Sequence, residues 1–393
     1  MRPMMLMLLL VALLCAACEK HNHPDWTVLV YMAADNGLSD NADGDINEME
    51  AAGVPEGVQV LVLVDRNAYA DNPSAVVYRI EADDDTTTIS SPIVRQLGEI
   101  NTADPQQLAD FANWGYRQAW GSKRALIVWG HGNAWYRAGS WKSVCDDSQS
   151  NATMDVSNGE LRQAMLGIRG GVDLLMFDAC LMQTAEVVSE VSDRADWVVG
   201  SLDKTCVDGL PYHDILRQWS AGSSAAEMAS RTVYAAVDSY RPGGSQQTPG
   251  IYHAVYSAVD CDRWEAAQWA VGRFVQVASV DTVNSGLNEA LYRATTFNDG
   301  DEMIDLAEFL GATWTECWGS IATRGKAAAD TLTTAIPAVD VYGYSSGTTG
   351  RVSVWFPRYA SHVAGWEETY RAMRWSQATG WIDFLSSYLA VNQ

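Results

Sequence analysis

The chain has 393 residues, 48% of them hydrophobic, and a formal net charge of −23. That supplies a substantial core in one large or two to three ordinary domains. The acidic balance excludes nucleic acid as a partner, because phosphate binding needs clustered Lys and Arg; it is compatible with a cationic substrate and with the solubility of an exported protein.

Met1-Arg2-Pro3 precedes an apolar run from Met4 to Leu14. The run is too short to span a bilayer as a folded helix and has the length of a signal-peptide core. It closes on Leu14-Cys15-Ala16-Ala17-Cys18, which is similar to a bacterial lipoprotein box, with Cys15 where that pattern usually has Leu. Residues 1–18 are therefore expected to be a lipoprotein signal peptide lipidated at Cys18, with ordinary signal cleavage as the competing reading. Residues 19–25 read as a polar linker. The expectation is an exported protein anchored by lipid to a membrane of the cell envelope, with no later transmembrane segment.

Trp26 to Ala34 reads as a strand, broken by Asp35-Asn36-Gly37, with a helix following to about Ala52. Asn41, Asp43, Gly44, Ile46 and Glu50 fit positions of a calcium-binding EF-hand loop, but Ser39 stands where its first Asp belongs. An acidic helix start explains the same residues more simply. No cofactor is expected, calcium being the one candidate. Val58 to Asp65 and Ala75 to Ile80 are further strands, followed by a turn-rich stretch to Pro92. Asp104 caps a helix that begins with Pro105 and runs to Trp120.

Arg124 to Trp129 is an apolar strand that closes on Gly130-His131-Gly132. The polar segment 133–155 then reads as a long loop, which inside a compact domain is usually functional or mobile. Gly159 to Ile168 is a helix, and Val172 to Phe177 a strand buried on both faces. Asp178-Ala179-Cys180 sits at its exit, with helical spacing of apolar residues from Leu181 to Val191. Asp196 to Ser201 is another strand, and Ala225 to Tyr240 a helix capped by Ser223 or Ser224. The Gly/Gln/Ser-rich stretch 241–249 is a candidate boundary. Beyond it come a strand (250–259), helices (261–277, 301–310, 321–334, 366–375, 377–389) and a strand from Arg351 to Pro357.

Strands alternating with helices imply an α/β fold with a mostly parallel sheet and helices on both faces. The expected division is a first domain over 26–245 and a C-terminal α/β region over 246–393 packed on it. Outside the leader, Cys145, Cys180, Cys206, Cys261 and Cys317 leave four thiols for two disulfides if Cys180 is free. No Cys/His spacing suggests zinc. The 16 Trp are more than this reading accounts for.

In open α/β sheets ligands bind outside the carboxyl ends of the strands. If the strands ending at Trp129 and Phe177 are neighbours, His131 and Cys180 emerge at one edge. A thiol beside a helix N-terminus is favoured as thiolate, and an imidazole beside it completes a nucleophile and its acid/base partner.

Val128-Trp129-Gly130-His131-Gly132 together with Phe177-Asp178-Ala179-Cys180-Leu181-Met182 resembles the clostripain-like cysteine peptidases of the caspase and gingipain group. Asp35-Asn36, Asn47-Glu48-Met49, Glu186-Val187, Gly209 to Tyr212, Met303 to Leu306 and Ser353 to Pro357 resemble further landmarks. The resemblance implies a caspase-like sheet, a catalytic pair of Cys180 and His131, and cleavage of a peptide or protein substrate after Arg or Lys. It implies an oxyanion hole made by the backbone N–H groups of Gly132 and Cys180. Asp178 and Asp208, with Ser201 at the strand end, would line the pocket for the basic side chain. Asn133-Ala134 and Leu202 depart from the family pattern near that pocket. Self-cleavage at Arg137 or Lys142 is a further expectation. Two other functions fit the residues: a catalytically silent surface lipoprotein that binds peptide or glycan, and a metal hydrolase using His131, Asp146 and Asp147.

Overall fold

Nine strands form the central sheet of the computed structural model, which describes residues 24–70, 73–118, 123–136, 143–247, 253–281, 285–297, 302–344 and 348–392. The expected leader with Cys18, most of the linker, and Arg137 and Lys142 lie outside the described residues. The strands are β1 (Trp26–Ala34), β2 (Val58–Arg66), β3 (Ala75–Arg79), β4 (Ile93–Gly98), β5 (Lys123–Trp129), β6 (Val144–Asp147), β7 (Ala152–Met154), β8 (Val172–Asp178), β9 (Ala195–Ser201), β10 (Ala254–Asp260), β11 (Thr296–Phe297), β12 (Met303–Asp305), β13 (Ala338–Tyr342) and β14 (Ser353–Trp355). The central sheet runs β13-β10-β9-β8-β5-β1-β2-β3-β4. Its middle five strands are parallel, and β10, β13, β3 and β4 add antiparallel edges.

The middle strands read as unbroken apolar runs because both their faces are covered. Along β1, Leu29, Tyr31 and Ala33 join one core, while Val28, Val30 and Met32 join the core on the other face. The Ser39–Ala52 helix packs on the second face, and the Pro105–Arg117 helix on the first. Asp104 caps the latter by accepting the Gln106 N–H, and Ser224 makes a capping box with Glu227 ahead of the Ala225–Tyr240 helix.

Residues 39–52 are one continuous helix, as the sequence implies, with Asn41, Asp43, Gly44, Ile46 and Glu50 strung along it. The segment 133–155 is not one long loop: it contains the β6–β7 hairpin, in which Asp146 and Asp147 are buried. Beyond the stretch 241–249, β10 and β13 extend the central sheet. All described cysteines are free thiols.

The many Trp residues also find their place. Trp355, Trp375 and Trp381 pack with Phe309, Phe356, Phe384 and Tyr370 where the C-terminal helices meet the N-terminal half, and Trp135 of the His131 segment joins them. Glu186 is the polar rivet of this contact. It is fully buried and accepts the Trp355 N–H at 2.9 Å and the Tyr370 hydroxyl at 2.5 Å. Burial raises its pKa, with both hydrogen bonds opposing. Glu186→Ala leaves two donors unpaired and a cavity, and is expected to lower the unfolding free energy by about 3 kcal/mol. Glu186→Gln keeps the acceptor and costs clearly less. Equilibrium denaturation checks both; equal midpoints for Glu186→Ala and the parent chain would contradict the assignment.

Candidate active site

β5 and β8 are neighbours in parallel register, with Trp129 opposite Asp178. The Gly130 N–H donates to the Asp178 carbonyl at 3.1 Å, which carries the pairing one residue past the strands. Gly130 has φ 144°, a conformation costly for any residue with a Cβ, and it turns the chain so that His131 leaves the sheet beside Cys180. The approach is so close that a methyl group added at Gly132 would run into the Cys180 carbonyl and lie 2.9 Å from the Ala179 Cβ and 3.0 Å from the Cys180 nitrogen. His131 is exposed and Cys180 half-buried, so both reach solvent at one edge.

The turn after Cys180 differs from expectation. The helix starts at Ala185, capped by Thr184 accepting the Val187 N–H, not at Leu181. Leu181 has φ 62°, and its N–H donates to the Asp203 carbonyl while that of Gln183 donates to Ser201. These tertiary bonds to the end of β9 compete successfully with the first helical turn. The helix terminus thus lies at Ala185, beyond the turn that follows the thiol. Thr205 stands there instead: its N–H donates to Cys180 Sγ at 3.2 Å and its hydroxyl lies 3.4 Å from the sulfur. The other thiols are held protonated by burial, Cys145 pushed up to about 12 and Cys206 and Cys317 to about 11.

Asp178 closes β8 on the opposite face, buried, and accepts the Leu210 N–H at 3.1 Å and the Tyr212 hydroxyl at 2.9 Å. Gly209 packs directly over it, where a Cβ would lie 2.8 Å from both carboxylate oxygens. Burial pushes its pKa up to about 6 against those two bonds. Asp45 and Glu48, one helical turn apart, face the same region. Asp45 accepts the Trp129 indole N–H at 2.6 Å, and burial, together with the charges of Asp178, Glu48 and Asp208, holds its carboxyl well above the usual carboxylate range. Burial raises Glu48 to about 7, although it accepts backbone N–H groups of Tyr212 and His213. Asp208 is half-buried, and its carbonyl accepts from Gln246. Ser201 is buried, its hydroxyl donating to the Asp203 and Val255 carbonyls. Leu202 is buried in the core. Thr205, Asp45 and Glu48 were not anticipated. For Asp45 and Glu48 the i, i+3 spacing on a helix was a visible signal; for Thr205 there was none.

Comparison with known proteins adds to this geometry. The Peptidase_C11 (clostripain family) profile matches residues 30–388. Clostripain of Hathewaya histolytica is 27% identical over 231 residues, which covers 52% of this chain and 44% of clostripain, less than half of that relative's length. A secreted C11 cysteine protease from Bacteroides thetaiotaomicron, solved with an irreversible peptide inhibitor, superposes with a TM-score of 0.70 at 20% identity, covering 91% of this chain and 100% of that one. An inactive zymogen C11 protease from Parabacteroides distasonis gives 0.69 at 16% identity, covering 91% and 98%. At these identities the structural likeness is one of fold, the caspase-like α/β arrangement.

Proposed function

This chain is a member of the clostripain family, and from that premise we propose that it is a cysteine endopeptidase cleaving after Arg or Lys through Cys180 and His131. The observation that carries the reading is the meeting of the two chain reversals, Gly130–Gly132 and Ala179–Cys180, at a solvent-reachable edge of the sheet. Cys180 attacks the scissile carbonyl, and a thioester acyl-enzyme forms as His131 protonates the leaving amine. His131 then takes a proton from water, which hydrolyses the thioester. The N–H groups of Gly132 and Cys180 face the developing oxyanion. The Thr205 N–H supports negative charge on sulfur.

Selectivity for a basic side chain is attributed to the carboxylates of Asp178 and Asp208, backed by Asp45 and Glu48. A guanidinium or ammonium group is what this group of acids would take up most favourably. Export supports access to peptide substrates, and lipidation at Cys18 would anchor the protein to a membrane of the cell envelope.

A peptide library varied at the residue before the cut is expected to give cleavage only after Arg and Lys. Asp178→Asn is expected to raise KM for those peptides about tenfold at pH 7.5, with little change for neutral ones. Sign follows from the raised pKa: the Asp178 carboxyl is neutral below about pH 6, so the parent enzyme loses its preference as pH falls through 6, and the Asn variant shows no such step. Cleavage without regard to that residue, or unchanged kinetics of Asp178→Asn toward Arg peptides, defeats the pocket assignment. Absence of any cleavage by the parent chain defeats the peptidase reading.

A further inference from the structure

The sulfur of Cys180 is touched by a segment that is itself tied to the C-terminal third of the chain. Thr205 presents its N–H to the sulfur at 3.2 Å and its hydroxyl at 3.4 Å, and its carbonyl lies 3.8 Å away, where the thiol can donate to it. Thr205 lies in neither a helix nor a strand. It falls between the end of β9 and a turn that the Gly209 N–H closes on the Cys206 carbonyl at 3.1 Å. No ladder or helical turn therefore holds it on the sulfur. A hydrogen bond weakens steeply once distance and angle drift, so some other contact must fix this segment.

Asp203 supplies that contact. It is only 6% exposed. Its backbone is pinned toward the nucleophile, for its carbonyl accepts the Leu181 N–H at 3.1 Å and the Ser201 hydroxyl at 2.9 Å. Its side chain joins two further parts of the chain. One carboxylate oxygen accepts the N–H of Lys204, the residue before Thr205, at 2.7 Å. The other accepts the Tyr344 hydroxyl at 2.6 Å and lies 3.7 Å from His253 Nε2.

Sheet topology explains why residues so distant in the chain arrive here. β9 runs parallel to β8, so both end at the same edge. β10 runs antiparallel to β9 with Tyr256 opposite Ser201, and β13 antiparallel to β10 with Tyr342 opposite Ala254. His253, just before β10, and Tyr344, two residues past β13, therefore stand at the edge from which Cys180 leaves. The Tyr344 ring packs edge-on against His253, with centroids 5.2 Å apart, and against the buried Phe297, at 5.7 Å. Those two contacts aim its hydroxyl at Asp203.

We propose that Asp203, Tyr344 and His253 are positioning residues for the nucleophile: they hold the Lys204–Thr205 segment so that the Thr205 N–H stays on the Cys180 sulfur and supports its thiolate. The chain of contacts runs from the Tyr344 hydroxyl to the Asp203 carboxylate, from the carboxylate to the Lys204 N–H, and from the next peptide to the sulfur. The C-terminal third of the molecule is by this route part of the catalytic unit, and the nucleophile is incomplete without it. The inference deepens the peptidase reading and rests on it for its kinetic measurements only.

The test uses the full chain, with Tyr344→Phe, Asp203→Asn, their combination and His253→Ala. The rate at which iodoacetamide alkylates Cys180 at neutral pH is followed by mass spectrometry of the Cys180 peptide. kcat and KM on an Arg peptide amide and the Tm are measured beside it. Tyr344→Phe and Asp203→Asn are each expected to slow alkylation and lower kcat about tenfold, with KM within about twofold, because the lost contact acts on the sulfur and not on substrate binding. The combination is expected to do no more than Asp203→Asn alone, since the two side chains make one contact. His253→Ala removes the ring beside Tyr344 and not the hydrogen bond, and is expected to cost about threefold. Tyr344→Phe keeps both ring contacts and is expected to melt within a few degrees of the parent.

Parental alkylation rates in both single variants overturn the proposal, as does a combination in which the two losses multiply. A change confined to KM overturns it in favour of substrate binding, and losses that simply follow a large fall in Tm overturn it in favour of general stability. Alkylation is read without turnover. Slower alkylation in the variants supports the positioning role even if no peptide is cut, and parental alkylation with cleavage intact refutes it while leaving the peptidase reading standing.

Discussion

Cys180→Ala and His131→Ala are each expected to lower kcat on a peptide-amide substrate by about 10⁴-fold or more, while leaving the melting temperature within a few degrees of the parent. The size follows from their working as one unit: without sulfur there is no thioester, and without imidazole the leaving amine departs unprotonated. Residual turnover above water would come from substrate binding and the oxyanion donors alone. The mild effect on stability follows from position. His131 is exposed, and the Cys180 thiol makes its described polar contacts only with Thr205. A thiol-reactive peptide ending in Arg or Lys should label Cys180 in the parent and in no other described cysteine, because burial holds the other four thiols protonated. Either variant retaining a tenth of parental activity contradicts the mechanism, as does labelling of a different cysteine.

Gly132→Ala is expected to reduce kcat by about 10²–10³-fold with a much smaller effect on KM. The added methyl would meet the Cys180 carbonyl well inside van der Waals contact, with the Ala179 Cβ at 2.9 Å and the Cys180 nitrogen at 3.0 Å. Backbone on both sides leaves no flexible side chain to yield, so the two turns must part. Parting them misplaces the Gly132 N–H from the oxyanion, and loss of one such donor has that magnitude in other hydrolases. Substrate binding, carried by the acids on the far side of Asp178, is affected less. Steady-state kinetics decides the matter: a rise confined to KM would place Gly132 in substrate binding, and parental kinetics would remove it from the oxyanion hole. Because its neighbour Val144 begins the β6–β7 hairpin, thermal unfolding should accompany the measurement to separate local displacement from general loss of fold.

The route from residues to site was partly open in one dimension. β1, β2, β5 and β8 are unbroken apolar runs because they are buried on both faces, and that pattern needs no tertiary knowledge to recognise. Their alternation with helices implied the parallel sheet, and the parallel sheet implied that His131 and Cys180 would share an edge. Cap residues such as Asp104 and Ser224 were equally readable, because a cap bonds to a backbone only two or three residues away.

Other features depended on partners distant in the chain. The helix after Cys180 begins late because Leu181 and Gln183 donate to Asp203 and Ser201, a competition that local helical spacing does not record. The hairpin inside 133–155 is polar and short, and it exists because its residues pack against β1 and the His131 turn. The abundance of Trp made sense only when the C-terminal helices closed on the N-terminal half.

What the sequence by itself determined, then, was the strands, their alternation with helices and the strand ends from which His131 and Cys180 leave, since apolar period is a property of neighbouring residues. Only the tertiary structure decided which carboxylates stand together: Asp45 and Glu48 behind Asp178, and Asp35, Asp65, Glu99 and Asp147 on the opposite face. The physical reason is that repulsion between acids depends on a few ångströms of separation, and strand register sets that separation across tens of residues of intervening chain.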